Sequence, residues 1–315
     1  MGKIRVGVVG LGSMGRRHLE TLGRTTGAVV TAIASTSAEK RREVSSNLGI
    51  TAVADYRRLV GLIDAVVIAL PTIMHCEAAS FFMEQGIHVL LEKPIAATIE
   101  EGRHLVDLAQ AKDVVFAVGH IERFNPAYRC LQQIVRQQVP QGPVQVQAYR
   151  MGPYDGRSSD VGIELDLMIH DIDALVGLFP QYRLQLRQAL GMAVVSPLSD
   201  NTIAHLDLCD KQSGEKRGGA VLLASRIADE RRRCLQVRFD GFTGELDYMN
   251  QQVNITKAGQ AREEIPVTKA FPLDGELADF IASVRHKTKP AVDGAAALEA
   301  LTLVKQAGDM LAAIG

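Results

Sequence analysis

Short, unbroken apolar runs punctuate the first 120 residues, and stretches with helical spacing separate them. Ile4–Val9, Val29–Ala34, Ala65–Leu70, His88–Leu91 and Val114–Val118 each read as a strand dominated by valine, isoleucine, leucine and alanine. Runs without polar alternation are apolar on both faces, which is the pattern of a parallel sheet covered by helices on each side. His104, Leu105, Leu108 and Ala109 mark one of the intervening helices.

The pattern changes after residue 120. Asn125-Pro126 reads as a helix start, with asparagine at the cap and proline at the first helical position, and that helix runs to about Gln138. Period-two alternation follows. Val144, Val146 and Ala148 alternate with Gln145, Gln147 and Tyr149, and Leu235, Val237 and Phe239 alternate with Gln236, Arg238 and Asp240. Such strands have one apolar and one polar face, as in an open, mostly antiparallel sheet. A helix over Asp166–Leu178 interrupts them, and amphipathic helices are predicted around Leu273–Val284 and Ala295–Ala312. The expectation is an α/β protein in two domains: a doubly wound domain over 1–120 and an α+β domain with a large open sheet over 121–315.

Charge narrows the partners. Lys and Arg total 35 against 36 Asp and Glu, a net charge of −1, so no electrostatic footprint for nucleic acid or an anionic membrane exists. The clusters Lys40-Arg41-Arg42 and Arg231-Arg232-Arg233 read as solvated faces. No apolar stretch approaches the roughly 20 residues of a membrane span, and no signal-peptide-like segment opens the chain. Cys76, Cys130, Cys209 and Cys234 are too scattered for a disulfide framework or a zinc knuckle. A cytoplasmic protein is expected.

Gly10-Leu11-Gly12-Ser13-Met14-Gly15 follows the first predicted strand and opens a predicted helix. In that context a G-x-G-x-x-G turn is a dinucleotide fingerprint. Its glycines allow a tight turn, approach of a pyrophosphate and close helix packing, while the helix N-terminus offers N–H groups to the phosphates. The second strand ends in Ala34-Ser35-Thr36-Ser37, with no acid to take the adenosine ribose hydroxyls. Ser35 and Thr36 stand where the ribose is expected, and small hydroxyls beside Lys40 and Arg41 leave both NAD and NADP open.

Chemistry is expected at the carboxyl ends of the next strands. Glu92-Lys93-Pro94 follows the fourth, and Pro94 keeps Lys93 out of the helical region. Leu70, Pro71, Thr72 and His75 follow the third, on the expected cofactor side with Glu92 and Lys93. Asp166 and His170 stand four apart on the predicted helix, so a carboxylate faces an imidazole of near-neutral pKa, which suits general-base work. Asp173 lies one turn on. No metal is expected, since no third ligand has the right spacing.

Taken in order, Gly10–Gly15, Pro71-Thr72 with His75, Glu92-Lys93-Pro94, Gly119-His120 with Arg123-Phe124-Asn125-Pro126, and Asp166 with His170 resemble the glucose–fructose oxidoreductase/inositol dehydrogenase/MocA (Gfo/Idh/MocA) family over essentially the whole chain. The resemblance implies a Rossmann domain binding NAD(P), with NAD favoured over NADP, and an open-sheet domain, oxidation of a sugar, cyclitol or nucleotide sugar, and Lys93, Asp166 and His170 as catalytic residues. It also implies a cis Lys93-Pro94 bond and a homo-oligomer, dimer or tetramer, formed through the C-terminal sheet. Val118–Ala127, Arg150–Pro153 and Asp160–Gly162 further resemble dehydrogenases that oxidise C3 of UDP-N-acetylglucosamine for lipid A amino-sugar synthesis. On that resemblance Arg123, Asn125, Arg150 and Arg157 are expected to bind substrate beside Lys93, Asp166 and His170, the arginines clamping a diphosphate. At each arginine the alternative is a solvated or sheet-face side chain. The competing functions are an inositol or free-sugar dehydrogenase, and a dinucleotide sensor without turnover.

Overall fold

The computed structural model describes residues 2–138, 140–156 and 161–313. Arg157 and Asp160, both singled out in the sequence, lie outside the described residues. The chain forms two compact units. One runs to Ile121 and takes in Phe271–Leu298; the other comprises Glu122–Ala270 and continues from Glu299.

The first unit is built from β1 (Ile4–Val9), α1 (Ser13–Leu22), β2 (Ala28–Ala34), α2 (Ala38–Leu48), β3 (Thr51–Val53), β4 (Ala65–Ile68), α3 (His75–Glu84), β5 (His88–Glu92), α4 (Ile99–Ala111) and β6 (Phe116–Gly119). The strands pair in parallel in the order β3-β2-β1-β4-β5-β6. Chain order reverses between β1 and β4, and doubly wound sheets open their ligand crevice at the carboxyl ends of such strands. Val6, Val8, Val67, Ile68, Val89 and Leu91 are fully buried, as unbroken apolar runs require. The short β3 has no apolar run and was not legible as a strand.

The second unit begins with α5 (Pro126–Arg136) and β7 (Val144–Met151). It continues through α6 (Ile169–Leu178), β8 (Tyr182–Met192), β9 (Asn201–Asp210), β10 (Lys216–Ser225), β11 (Arg232–Phe239), β12 (Phe242–Asp247), β13 (Gln252–Lys257) and β14 (Glu263–Ile265). Eight strands pair in the order β14-β13-β12-β11-β7-β10-β9-β8, with β7 and β10 the one parallel pair among the described strands of this sheet. Val144, Val146, Ala148, Leu235 and Val237 point to the buried face, and their alternates point away. Asn125 caps α5 by accepting from the Ala127 N–H (3.1 Å).

Two helices close the chain: α7 (Pro272–His286) and α8 (Gly294–Ala312). Residues 271–298 were expected in the second domain. Instead Leu273, Leu277, Phe280, Ile281 and Val284 join Val6, Val8, Leu19, Leu22 and Ile33 in one core of the first unit. The apolar stripe of α7 was legible, but a stripe does not specify the surface that covers it. Among the described residues no helix is long and apolar enough to cross a membrane.

Candidate active site

The glycine-rich turn links β1 to α1. Gly10 has φ +89°, and a Cβ there would strike the Ala69 carbonyl; a Cβ on Gly15 would strike the Gly10 carbonyl. Both glycines are therefore demanded by the chain's own packing. Gly12 is different. Its φ is an ordinary −72°, and an added Cβ would meet no atom within 4 Å. Nothing in the protein requires glycine at 12, whereas a pyrophosphate lying over the α1 N-terminus does.

Ser35 and Thr36 follow β2 directly. Arg41 donates to both of their carbonyls, at 2.6 and 2.9 Å, and the Lys40 ammonium donates to the Leu11 carbonyl inside the glycine turn at 2.9 Å. These two cations, read from the sequence as solvated, are tied to the backbone that would hold the adenosine end of a dinucleotide.

After β4, Leu70 and Pro71 lead into a single tight turn, Thr72–Met74, and then α3. His75 was expected beside the cofactor. It is buried, with Nδ1 2.9 Å from the Pro94 carbonyl and Nε2 2.9 Å from the Leu70 carbonyl. Burial pushes its pKa down, so the neutral ring donates to one carbonyl at a time. These contacts tie the loop after β5 to the loop after β4. The Lys93-Pro94 bond in that loop is cis.

Sequence reading missed one tie at this edge. Fully buried His18, on α1, places Nε2 2.6 Å from Glu92 Oε1, and Glu92 Oε2 accepts from the Lys93 N–H at 3.3 Å. One carboxylate thus joins the helix of the glycine turn to the loop that carries half-buried Lys93. The partners are 74 residues apart in sequence, so no local pattern announces them.

In the second unit the expected helix begins differently. Glu164–Met168 form a π-helical turn that runs into α6, and the Gly162 carbonyl accepts from both Leu165 and Asp166 N–H groups. Asp166 belongs to this wider turn and His170 to the first turn of α6; both are half-buried. Insertions of this kind re-aim side chains and recur at functional sites.

Three residues expected to bind substrate are hydrogen-bonded to other groups of the second unit. Arg150 is 1% exposed and grips Asp171 with two hydrogen bonds (3.1 and 2.9 Å) and Glu122 with a third (2.8 Å); its guanidinium also lies 5.1 Å from the centre of the Tyr248 ring. Burial pushes the Asp171 carboxyl up, against the pull of Arg150. Arg123 donates to the Asp173 carbonyl at 2.7 Å and stands 3.6 Å from its carboxylate. Asn125, besides capping α5, donates to the Tyr248 carbonyl at 3.0 Å. Their partners come from distant parts of the chain, so no local pattern announces these bonds. Asp166, by contrast, lines a cavity of about 280 Å³ together with Arg226, Arg231 and Arg233, none of which the sequence reading had placed in a site.

The family model describing an oxidoreductase family with an NAD-binding Rossmann fold matches residues 4–120. Over 96% of its length the chain is 29% identical to the UDP-N-acetylglucosamine 3-dehydrogenase of Acidithiobacillus ferrooxidans, covering 96% of that enzyme. A solved structure of that dehydrogenase superposes with a TM-score of 0.89 at 30% identity, covering 99% of each chain. The chain belongs to the Gfo/Idh/MocA oxidoreductase family. It is an NAD-binding oxidoreductase, and the open space at Gly12 fits the cofactor that the Gfo/Idh/MocA family binds. The Gfo/Idh/MocA architecture also appears in scyllo-inositol dehydrogenase from Lactobacillus casei, solved with NAD(H) and scyllo-inositol. That enzyme superposes with a TM-score of 0.83 at 21% identity, over 99% of this chain and 98% of its own, and shows the shared fold.

Proposed function

We propose that the protein oxidises the C3 hydroxyl of UDP-N-acetylglucosamine to a ketone. The observation that carries this reading is the likeness, across both units, to a dehydrogenase of that specificity. Inositol 2-dehydrogenase 1 of Saccharopolyspora erythraea, by comparison, matches at 39% identity over only 40% of the chain.

In this reading Gly10, Gly12, Ser13, Met14 and Gly15 hold the pyrophosphate, Ser35 and Thr36 lie at the adenosine ribose, and Leu70, Pro71 and Thr72 flank the cofactor. NAD, when bound, supplies the acceptor for hydride. His170 takes the hydroxyl proton, because an imidazole is a competent base near neutrality whereas a lysine must first be shifted by several units. Asp166 orients the imidazole and stabilises its charged form. Lys93 stabilises the oxygen as it acquires alkoxide character, and Glu92, held by His18, fixes the backbone from which Lys93 extends.

The test is a panel of UDP-sugars, inositols and free hexoses, each assayed with NAD and with NADP. Turnover of UDP-N-acetylglucosamine with NAD, giving a product lighter by two hydrogens and oxidised at C3, is expected. NAD is preferred because Lys40 and Arg41 are already engaged by backbone carbonyls. Preferential turnover of an inositol or a free hexose overturns the substrate assignment, and binding of NAD without turnover of any alcohol makes the protein a sensor.

A further inference from the structure

At one end of the second unit's sheet, β7 and β11 bring like charges together. Arg150 and Arg233 are directly paired across the two strands, and the space left by Gly152 is taken by Arg231, whose Cγ lies 3.2 Å from where a Cβ on Gly152 would stand. Facing like charges destabilise a strand pair unless something neutralises them.

Two of the four arginines around the 280 Å³ cavity are matched. Arg150 has Asp171 and Glu122, and Arg226 donates to the Val161 carbonyl with its Nε 3.4 Å from Asp200 Oδ1. Arg231 and Arg233 are not matched in this way. Among the described residues no carboxylate pairs with Arg231. The nearest carboxylate oxygen to Arg233 is Glu122 Oε1 at 3.9 Å, which already accepts from Arg150 at 2.8 Å. Burial lowers the Arg233 pKa, and the Arg150 and Arg231 charges lower it further, against the pull of Glu122 and Asp171. Asp155 and Asp166 are the acids on the cavity wall.

We propose that this cavity receives the diphosphate of the nucleotide-linked substrate, gripped by Arg231 and Arg233. The inference rests on the nucleotide-sugar reading above. The two guanidiniums start two residues apart on one face, about 7 Å along an extended chain. Long arms from such positions close on two linked phosphates, each as a planar fork matching phosphate oxygens. A neutral inositol or hexose would leave both charges unmatched. The volume is below the usual range for a whole drug-sized ligand and suits its charged middle portion. With Asp166 on the same wall, an anchored diphosphate is tethered beside a carboxylate assigned to the chemistry.

The probe is UDP, titrated calorimetrically into the full-length protein with NAD present, alongside the KM for UDP-N-acetylglucosamine. Arg231→Ala and Arg233→Ala should each weaken UDP binding about tenfold to a hundredfold, the loss of one charged hydrogen-bonding partner. KM should rise by a similar factor, with a smaller change in kcat. Arg233→Lys, which keeps the charge without the fork, should fall between. Arg238→Ala, on the opposite face of β11, should bind UDP as the unaltered protein does. If UDP-N-acetylglucosamine is turned over and both alanine variants keep its KM and their UDP affinity, the inference is wrong while the substrate reading stands. If the sugar nucleotide is not turned over but UDP binds and the variants abolish that binding, the anion site stands and the substrate reading falls. If UDP does not bind the unaltered protein, the clamp is refuted.

Discussion

Replacing Arg150 with alanine removes the one cation that holds two buried carboxylates. The side chains of Asp171 and Glu122 are 2% and 11% exposed, and both hydrogen-bond to the same guanidinium. Without it they face one another in a site already costly for charge. Breaking a buried pair in this way costs about 3–5 kcal/mol, and at about 2–4 °C per kcal/mol for a unit of this size the melting temperature should drop by roughly 6–20 °C. The sign of the pH dependence follows from the same geometry. In the variant burial, no longer opposed by Arg150, holds the Asp171 carboxyl above its unfolded pKa, so the deficit is greatest near neutrality and shrinks as pH falls towards 4 and the group protonates. The triple variant Arg150→Met, Glu122→Gln, Asp171→Asn should recover much of the loss, because no charge is left buried alone. Differential scanning calorimetry at pH 7 and pH 4.5 makes the comparison. An Arg150→Ala protein that melts within about 2 °C of the parent at pH 7, yet shows a raised KM, would restore Arg150 to the substrate clamp and sink the structural assignment.

The remaining expectations concern other parts of the chain. Gly12→Val should fold normally, since no protein atom lies within 4 Å of a Cβ there, yet lose NAD affinity; unchanged affinity by fluorescence titration would refute the pyrophosphate assignment. Lys93→Ala and His170→Ala should each lose roughly 10²–10⁴-fold in kcat with NAD binding near that of the parent, and full turnover by His170→Ala at every pH would make the α6 cluster structural. Burial opposes ionisation of Asp200, but hydrogen bonds from Val194, Ser196 and Val195 outweigh it and bring the pKa from 3.8 to about 2. Its depressed pKa contributes stability present above about 3.8 and lost as pH falls through about 2, so Asp200→Asn should cost on the order of 1–2 kcal/mol at pH 7, with the gap closing in acid; a gap that is constant down to pH 2 contradicts this. Leu190, Met192 and Val221 are exposed in β8 and β10, and a homo-oligomer formed through that sheet is expected in sedimentation at micromolar concentration, whereas a monomer would count against it.

Local pattern determined a good deal of this protein. Unbroken apolar runs specified the parallel strands of the first unit, because strands covered on both faces tolerate no polar alternation. The glycine turn, the Asn125-Pro126 helix start and the alternation in β7 and β11 were equally legible, since each depends on residues within a few positions of one another. Tertiary structure decided what charged and amphipathic groups do, because their partners lie far away in sequence. Nothing in the sequence around Arg150 names its partners, and only the packing of α6 against β7 brings Asp171 to it. His18 acquires its role from Glu92, and Arg233 from its register opposite Arg150. The apolar stripe of α7 was visible, but its burial against α1 and β1 was not, because any apolar surface of suitable shape satisfies a hydrophobic face and the chain's path alone selects which one.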